Sequence, residues 1–354
     1  MEDKKTEKLY ERNAYTTEFV STVQACLPVK DGFDIVLAQS AFYPEGGGQP
    51  GDHGCFSYTG ADGRNETMMV LDTKEKNGVV LHRTEKALAV GTVVEGKIDW
   101  KRRFDHMQNH SGEHIVSGLI HGTYGYQNVG FHMGSDMITI DFDGEISYEE
   151  LKAIEAEANH IVWENRQTQI SLYDEESVKA VEYRSKKELH GIVRIVTFPD
   201  ADTCACCGTH VANTGEIGLI KLVSIQKFKA GVRIEMLCGA RALQYVNRIC
   251  EQNREISVSL SAKPLETANA VLRMKENAAK DAFRLVGVEQ EVFEMKAKCY
   301  ENAGDVLLFE NDMSPDSVRK LTIAVMEACK GRCIVLLVQM NQTTNMQQER
   351  KMEI

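Results

Sequence analysis

Two short stretches decide the fold class and the chemistry of this 354-residue chain: residues 110–114 read HSGEH, and residues 206–210 read CCGTH. Apolar residues recur with helical spacing just after the first stretch, from Ile115 to Ile120. Because residues four apart share one face of a helix, both histidines of HSGEH can reach the same ion. The second stretch offers a thiolate and an imidazole at the same spacing, which completes a ligand set suited to one Zn²⁺ per chain. The candidate ligands are His110, His114, Cys206 and His210.

Two other interpretations of these stretches stay open. The spelling His-x-x-Glu-His matches the inverted motif of zinc proteases, in which Glu113 is the general base. That motif needs a distant glutamate as third ligand, for which Glu182 or Glu188 can be nominated, and it leaves Cys206 and His210 without a role. Alternatively, each pair is a chance surface feature, although two such pairs are not expected together in a chain with 10 histidines.

The composition around these stretches is that of an ordinary globular protein. With 43% hydrophobic and 26% charged residues, it excludes a disordered or collagen-like chain. A net charge of −11, from 41 basic and 52 acidic residues, excludes a protein that coats DNA or RNA but leaves room for a local basic patch. No apolar run approaches the ~18 residues of a membrane helix, and no export signal follows the charged N-terminus. We therefore expect a cytoplasmic protein whose cysteines are free thiols or metal ligands.

Hydrophobic patterning predicts an α+β protein in four parts. Residues 1–98 combine short alternating runs with a loop rich in glycine and proline, which indicates a small β-barrel with a Gly-rich loop. Residues 99–239 mix helices and strands around the zinc ligands. Residues 240–303 carry a broad helical apolar stripe, and residues 304–354 read as a single β–α–β unit.

Two local signals sharpen the helix predictions. Ser147 followed by Glu150 is a capping box, which predicts that a helix begins there. Gly287 lies in the middle of the long helical stripe, where it is expected to divide the stripe into two helices.

Further stretches extend the two motifs into an ordered set along the chain. Residues 42–52 read FYPEGGGQPGD and residues 99–103 read DWKRR; later come VRIV at 193–196, TGEIG at 214–218 and GVRIE at 231–235. With HSGEH and CCGTH, this set resembles the editing part of alanyl-tRNA synthetase and its free-standing relatives, the long AlaX-type trans-editing proteins. The resemblance is dense from residue 30 to 240 and thinner to about residue 340.

That resemblance implies a fold, a reaction and a ligand set. His110, His114, Cys206 and His210 would hold the zinc, and the protein would hydrolyse a wrong aminoacyl ester, seryl or glycyl, on alanine-specific tRNA without aminoacylating it. The chain departs from the family at Cys207, where glycine is usual, and in a shortened C-terminal unit. Cys204 and Cys207 could compete as ligands, but Cys206 is favoured because it keeps the three-residue gap to His210.

Other residues receive expected roles around the zinc. Glu113 is a candidate base, His132 would line the amino-acid pocket, and Ser111 and Gln49 would hydrogen-bond the substrate. Four protein ligands describe a closed structural site, whereas a catalytic zinc keeps an open position. A loose ligand, a fifth ligand or a zinc that only positions the substrate would each resolve this conflict, and a catalytically inert, zinc-stabilised tRNA- or protein-binding module is the alternative function.

Local basic clusters predict how an acidic protein could hold tRNA. They precede the zinc helix and recur after residue 218, where they could contact phosphates. The cations are Lys101, Arg102, Arg103, Lys221, Lys227, Lys229 and Arg233.

The C-terminal part of the chain carries more apolar surface than it is expected to bury. The stripe from Leu265 to Phe293 is wide, and the small β–α–β unit cannot cover both faces of its strands. By resemblance to relatives that pair through this region, we expect a homodimer with a C-terminal interface.

Overall fold

The computed structural model describes residues 5–185 and 191–338, and the chain divides into two compact units, Met1–Ile249 and Cys250–Ile354. Glu188, nominated above as a protease ligand, and the polar tail from residue 341 lie outside the described residues. Within those ranges, no helix combines the length and the apolar character needed to cross a membrane. The four-part division remains a prediction.

Short strands and one helical turn occupy the first part of unit 1. They are β1 (Glu7–Lys8), α1 (Leu9–Arg12), β2 (Glu18–Val29), β3 (Gly32–Leu37), β4 (Gln39–Ser40), β5 (Gly54–Thr59), β6 (Asn65–Val70), β7 (Asp72–Lys76), β8 (Val79–Thr84) and β9 (Val93–Ile98). β1 and β4 form a small parallel pair. The others form a seven-stranded sheet in the order β6-β5-β9-β2-β3-β8-β7.

This sheet is open, so the closed β-barrel expected for residues 1–98 is wrong. Among the described residues, no ladder joins the two edge strands, β6 and β7. Only Leu71 separates these strands in the chain, and even the tightest antiparallel connection needs a two-residue turn, so consecutive segments of this kind cannot pair side by side. One face of the sheet buries a core that includes Ile35, Phe42 and Phe56.

The helix α2 (Trp100–Tyr124) carries HSGEH and links the two halves of unit 1. It begins after Asp99, whose side chain accepts a backbone hydrogen bond from the first turn, and it ends at Gly125 in the left-handed region. A Cβ added at Gly112 would lie 2.2 Å from the sulfur of Cys238. The missing side chain at Gly112 is therefore what allows this part of the helix to lie against the next sheet.

Two sheets and two helices follow α2, and the second of these helices extends past Ile249, the last residue of unit 1. The elements are β10 (Asn128–Met133), β11 (Ile138–Phe142), α3 (Tyr148–Trp163), β12 (Gln169–Tyr173), β13 (Val193–Phe198), β14 (Asp202–Ala205), β15 (Ile220–Phe228), β16 (Gly231–Cys238) and α4 (Gly239–Ser259), with 3₁₀ turns at Ser177–Ala180 and Thr214–Ile217. The sheets have the orders β10-β11-β16-β15 and β12-β13-β14. The capping box of Ser147 and Glu150 is confirmed at the start of α3.

Unit 2 contains α5 (Thr267–Cys299), β17 (Gly304–Glu310), α6 (Pro315–Cys329) and β18 (Lys330–Leu337). The β–α–β prediction is confirmed, since β17 and β18 pair in parallel. The expected break at Gly287 is wrong, because α5 is continuous through it. Glycine costs a helix interior only ~1 kcal/mol relative to alanine, and Gly287 is not among the glycines with positive φ.

Candidate metal site

The structure brings the four predicted ligands together. His110 and His114 lie one turn apart on α2, and Cys206 and His210 come from the loop after β14. One ligand atom of each residue lies within 4.8 Å of those of the others, and all four side chains are buried or partly buried. Because these atoms come from segments about ninety residues apart in the chain, the arrangement depends on the packing of α2 against the second half of unit 1.

Outer hydrogen bonds orient the two helical histidines. The Nδ1 atom of His110 lies 2.9 Å from Oε1 of Gln49, and Nδ1 of His114 lies 2.8 Å from Oδ2 of Asp202. Nε2 of His110 lies 3.5 Å from the sulfur of Cys206. Metal-binding histidines are typically held through their second nitrogen in this way, which fixes the tautomer and the direction of the ring.

The buried surroundings of His210 fit a metal ion. His210 is 2% exposed, yet among the described residues neither of its ring nitrogens has a hydrogen-bond partner. A buried polar group without a partner is costly, and a metal ion bound by one nitrogen would remove much of that cost. Burial, with His110 nearby, lowers the pKa of His210 to about 3, which keeps the imidazole in the neutral form that binds metals.

The electrostatics of Cys206 point the same way. Burial acts to raise the pKa of the Cys206 thiol, but the neighbouring His110 and His210 outweigh it and hold that pKa well below its usual range. Burial acts to lower the pKa of His114, but its interactions with Asp202, Cys204 and Cys206 together outweigh burial and raise that pKa well above its ordinary value. The cluster therefore favours a thiolate, which is the form of cysteine that binds metals.

A cavity of about 290 Å³ opens onto the cluster. Glu113, Phe131 and Arg184 line it together with His110, His114 and Cys206. The Gly-rich loop reaches the same place through Gly47, and a Cβ at the neighbouring Gly48, whose φ is +88°, would lie 2.5 Å from the ring of Phe131. Close approach of this loop thus depends on glycine.

The other predicted site residues differ in whether they line the cavity, lie buried behind the cluster or are exposed. Glu113 lines the cavity. Gln49 is fully buried behind His110, where its amide donates to Thr209, and the hydroxyl of Ser111 accepts a hydrogen bond from the backbone of Val211. His132 is exposed and does not line the cavity, because it follows Phe131 on β10 and successive strand residues face opposite sides.

The predicted tRNA-binding cations differ in their burial and in their ion pairs. Arg103 is fully buried and paired with Asp52, so the expectation that it contacts phosphates is not compatible with its position. Three others are paired with acids distant in sequence: Lys221 with Glu155, Lys227 with Glu145 and Arg233 with Asp141. Arg102 is half-buried, whereas Lys101 and Lys229 are exposed. Lys227 and Lys229 therefore remain the best-placed pair for a phosphate.

Sequence reasoning missed Asp202, Arg184 and Asn128. Asp202 holds His114 and is itself bound by Arg184 through two hydrogen bonds of 2.7 and 2.8 Å, and Asn128 binds Glu113. Asp202, His114 and Cys204 form a second group that could hold a metal. The sequence offered a signal for Asp202 alone, because an acid so close to the cysteine cluster is a candidate partner of a metal ligand. No comparable pattern marked Arg184 or Asn128.

Comparison with known proteins places these observations in a family. A family model described as the threonyl and alanyl tRNA synthetase second additional domain matches residues 193–235, and one described as tRNA synthetases class II (A) matches residues 2–102. The chain is 31% identical to the alanyl-tRNA editing protein AlaX-L of Pyrococcus horikoshii over 311 residues, 86% of this chain and 74% of that protein.

Two further relatives agree. The alanyl-tRNA editing protein Aarsd1-A of Xenopus laevis is 31% identical over 284 residues, 75% of this chain and 67% of that protein. The alanine–tRNA ligase of Halobacterium salinarum is 36% identical over 283 residues, which are 76% of this chain but only 30% of the ligase. The extent of the first two matches, together with the motifs that surround the cluster, shows that the chain belongs to the alanyl-tRNA editing proteins.

Proposed function

We propose that this protein is a cytoplasmic, zinc-dependent deacylase that hydrolyses seryl or glycyl esters on alanine-specific tRNA and so protects the fidelity of translation. The observation that carries the proposal is the buried cluster of His110, His114, Cys206 and His210 beneath an open cavity. The names of the relatives support editing of alanyl-tRNA. A cavity of about 290 Å³ is the size of a small aminoacyl group and a few waters.

The residues of the cluster have separable tasks in this proposal. A zinc ion held there would supply a Lewis acid that polarises the ester carbonyl and lowers the pKa of water. Gln49 and Asp202 hold the imidazoles of His110 and His114 in the ligating orientation. The Gly-rich loop and Phe131 close one side of the cavity, which shields the ester from bulk water.

A deacylation assay tests the proposal. We expect purified protein to release serine or glycine from mischarged alanine-specific tRNA and to leave correctly charged alanyl-tRNA largely intact. Because the ligands are needed to place the metal, a strong chelator should abolish release and added Zn²⁺ should restore it. Zinc-loaded protein that binds tRNA but releases neither amino acid would instead identify an inert zinc-stabilised binding module, and cleavage of peptides would identify a protease.

Lys227 and Lys229 provide a test of tRNA binding. Both are exposed, and the ion pair of Lys227 with Glu145 is too exposed to hold it firmly. If each lysine neutralises one phosphate, replacing both by alanine should lower the slope of log affinity against log salt by about 2. Replacing Lys76 and Lys97 by alanine is the matched control, since both are exposed and Lys97 is also paired, with Glu18. Equal slopes for the two variants would remove the lysine pair from the interface.

The homodimer remains a proposal that unit 2 supports. Val306 and Leu308 of β17 pack in its core, whereas Leu307, Phe309 and Ile334 on the strands are 53%, 63% and 57% exposed. An isolated two-stranded sheet with an exposed apolar face is marginal in water.

We therefore expect the protein to sediment as a dimer at micromolar concentration. Replacing Phe309 and Ile334 by aspartate should produce a monomer that keeps its zinc, and a chain ending near Gly239 should behave in the same way. Val90, which is 68% exposed in unit 1, is the control position for a charge placed on an exposed apolar side chain. A monomeric full-length protein, or a dimer that survives the aspartates, would show that the interface lies elsewhere.

A further inference from the structure

Among the residues that the structure describes, Glu113 is the one that brings a carboxylate to the cavity above the metal cluster. Glu113 is 4% exposed, and it is not a member of the four-residue ligand group. Among the described residues, the groups that line the cavity with it are Arg184, the hydroxyl of Ser185, cysteine sulfurs, the imidazoles of the cluster and apolar side chains such as that of Phe131. A negative charge therefore faces a mostly apolar, partly enclosed space, where a charge without a partner is costly.

Two hydrogen bonds hold this carboxylate in place. The hydroxyl of Ser117 donates to Oε1 of Glu113 at 2.7 Å, and the amide of Asn128 donates to the same oxygen at 2.5 Å. The amide orientation follows from its other end, where Oδ1 of Asn128 accepts from the backbone of Gly130. Both donors end on Oε1, and no donor from the described part of the chain reaches Oε2, so Oε2 is the oxygen that we assign to a partner from the cavity.

Arg184 also lines this cavity, but its guanidinium is bound to another carboxylate. Nε and Nη2 of Arg184 donate to the two carboxylate oxygens of Asp202 at 2.7 and 2.8 Å, a bidentate pair of the strong kind. Asp202 in turn holds His114. Turning Arg184 towards Glu113 would break the support of a metal ligand. No other lysine or arginine among residues 5–185 and 191–338 lines the cavity, so the partner considered for Glu113 is a cation carried by the substrate.

We propose that Glu113 binds the α-ammonium group of the aminoacyl ester, an inference that rests on the proposed deacylase function. The ammonium group of such an ester lies two bonds from the scissile carbonyl, so one group held at Oε2 would place the carbonyl towards the neighbouring cluster on α2. Glu113 acts in this proposal as a permanent counter-ion and moves no proton. A consequence is selectivity for a free amino group, so that N-acylated substrates such as peptidyl-tRNA are rejected.

The test compares two esters that differ in the amino group alone. Seryl-tRNA is compared with its deaminated analogue, glyceroyl-tRNA, in which a hydroxyl replaces the ammonium, and each rate is divided by its uncatalysed rate. We expect the wild-type protein to prefer seryl-tRNA roughly 10- to 100-fold, the range of a hydrogen bond to a charged group. In Glu113→Gln the preference should fall to within roughly 3-fold, because seryl-tRNA loses its partner, while the rate with glyceroyl-tRNA stays close to that of wild type.

Controls separate recognition from folding and from proton transfer. Glu182→Gln, an exposed acid on the segment that leads to Arg184, should keep the wild-type preference, and zinc content should be unchanged in both variants. A Glu113→Gln variant that loses activity equally on both esters would show a role in proton transfer or folding and overturn the inference. Equal wild-type rates on the two esters would overturn the inference alone, whereas a wild-type protein inactive on seryl-tRNA would overturn the proposed function and the inference with it.

Discussion

Replacement of Cys206 by alanine is expected to strip the metal from the purified protein and to lower deacylation by at least about 100-fold, the upper end of what loss of a mere outer-sphere partner costs. Cys206 is the one sulfur in the four-residue ligand group, and its surroundings hold its pKa low. Without it, three imidazoles would remain, one of them, that of His210, anchored by no hydrogen bond among the described residues. Zinc content per chain, measured by elemental analysis, checks the expectation.

Cys204 and Cys207 are the matched controls. Cys204 lies in the second group with His114 and Asp202, and Cys207 is exposed beside the cavity. Alanine at either position should leave close to one zinc per chain, since neither belongs to the four-residue group. Full zinc occupancy in the Cys206 variant, or loss of zinc in the Cys204 variant, would move the thiolate ligand away from the position proposed here.

Replacement of Arg103 by alanine is expected to destabilise the fold by about 3–5 kcal/mol, the usual cost of breaking a buried ion pair by removing one partner. The guanidinium of Arg103 and the carboxylate of Asp52 are almost completely inaccessible to solvent. The guanidinium also donates to the backbone carbonyls of Ala14 and Ala41. Its loss would leave the buried carboxylate without its counter-ion, held only by the backbone N–H of Tyr43 among the described residues, and would take a donor from each of the two carbonyls. Urea unfolding followed by circular dichroism measures the result.

Arg102 and a double replacement make this test specific. Arg102 is half-buried, and within the described part of the chain its guanidinium donates to a single carbonyl, that of Gly51, at 3.3 Å, so Arg102→Ala should cost less than about 1 kcal/mol. Replacing Arg103 by methionine and Asp52 by leucine together should cost much less than the sum of the two single changes, because no charge is then left unpaired. A loss below 1 kcal/mol for Arg103→Ala would mean that water reaches the pair.

Local patterns determined much of the fold. The spacing of apolar residues predicted α2, and the capping box at Ser147 predicted the start of α3. Alternating and continuous apolar runs predicted the strands of the first sheet and the parallel pair β17 and β18. The helices and the individual strands depend on residues close together in the chain, so neighbouring side chains are enough to specify them.

The spacing within each motif likewise determined half of the candidate site. His110 and His114 share a helix face by sequence distance alone, and the four-residue step from Cys206 to His210 marked the second pair. That the two pairs converge was suggested by the resemblance and by zinc chemistry. The packing of unit 1 is what brings the ligand atoms of the two pairs within 4.8 Å of one another.

The tertiary structure alone decided which polar residues are exposed or line the cavity and which hold other side chains in place. Arg103 and Lys101 are two residues apart in one basic run, yet the first is buried in an ion pair and the second is exposed. Gln49 lies behind His110, Asp202 holds His114, and Asn128 and Ser117 hold Glu113. Such partners lie up to about ninety residues apart, and contacts at that separation form only because packing of the whole unit offsets the entropy of bringing distant segments together.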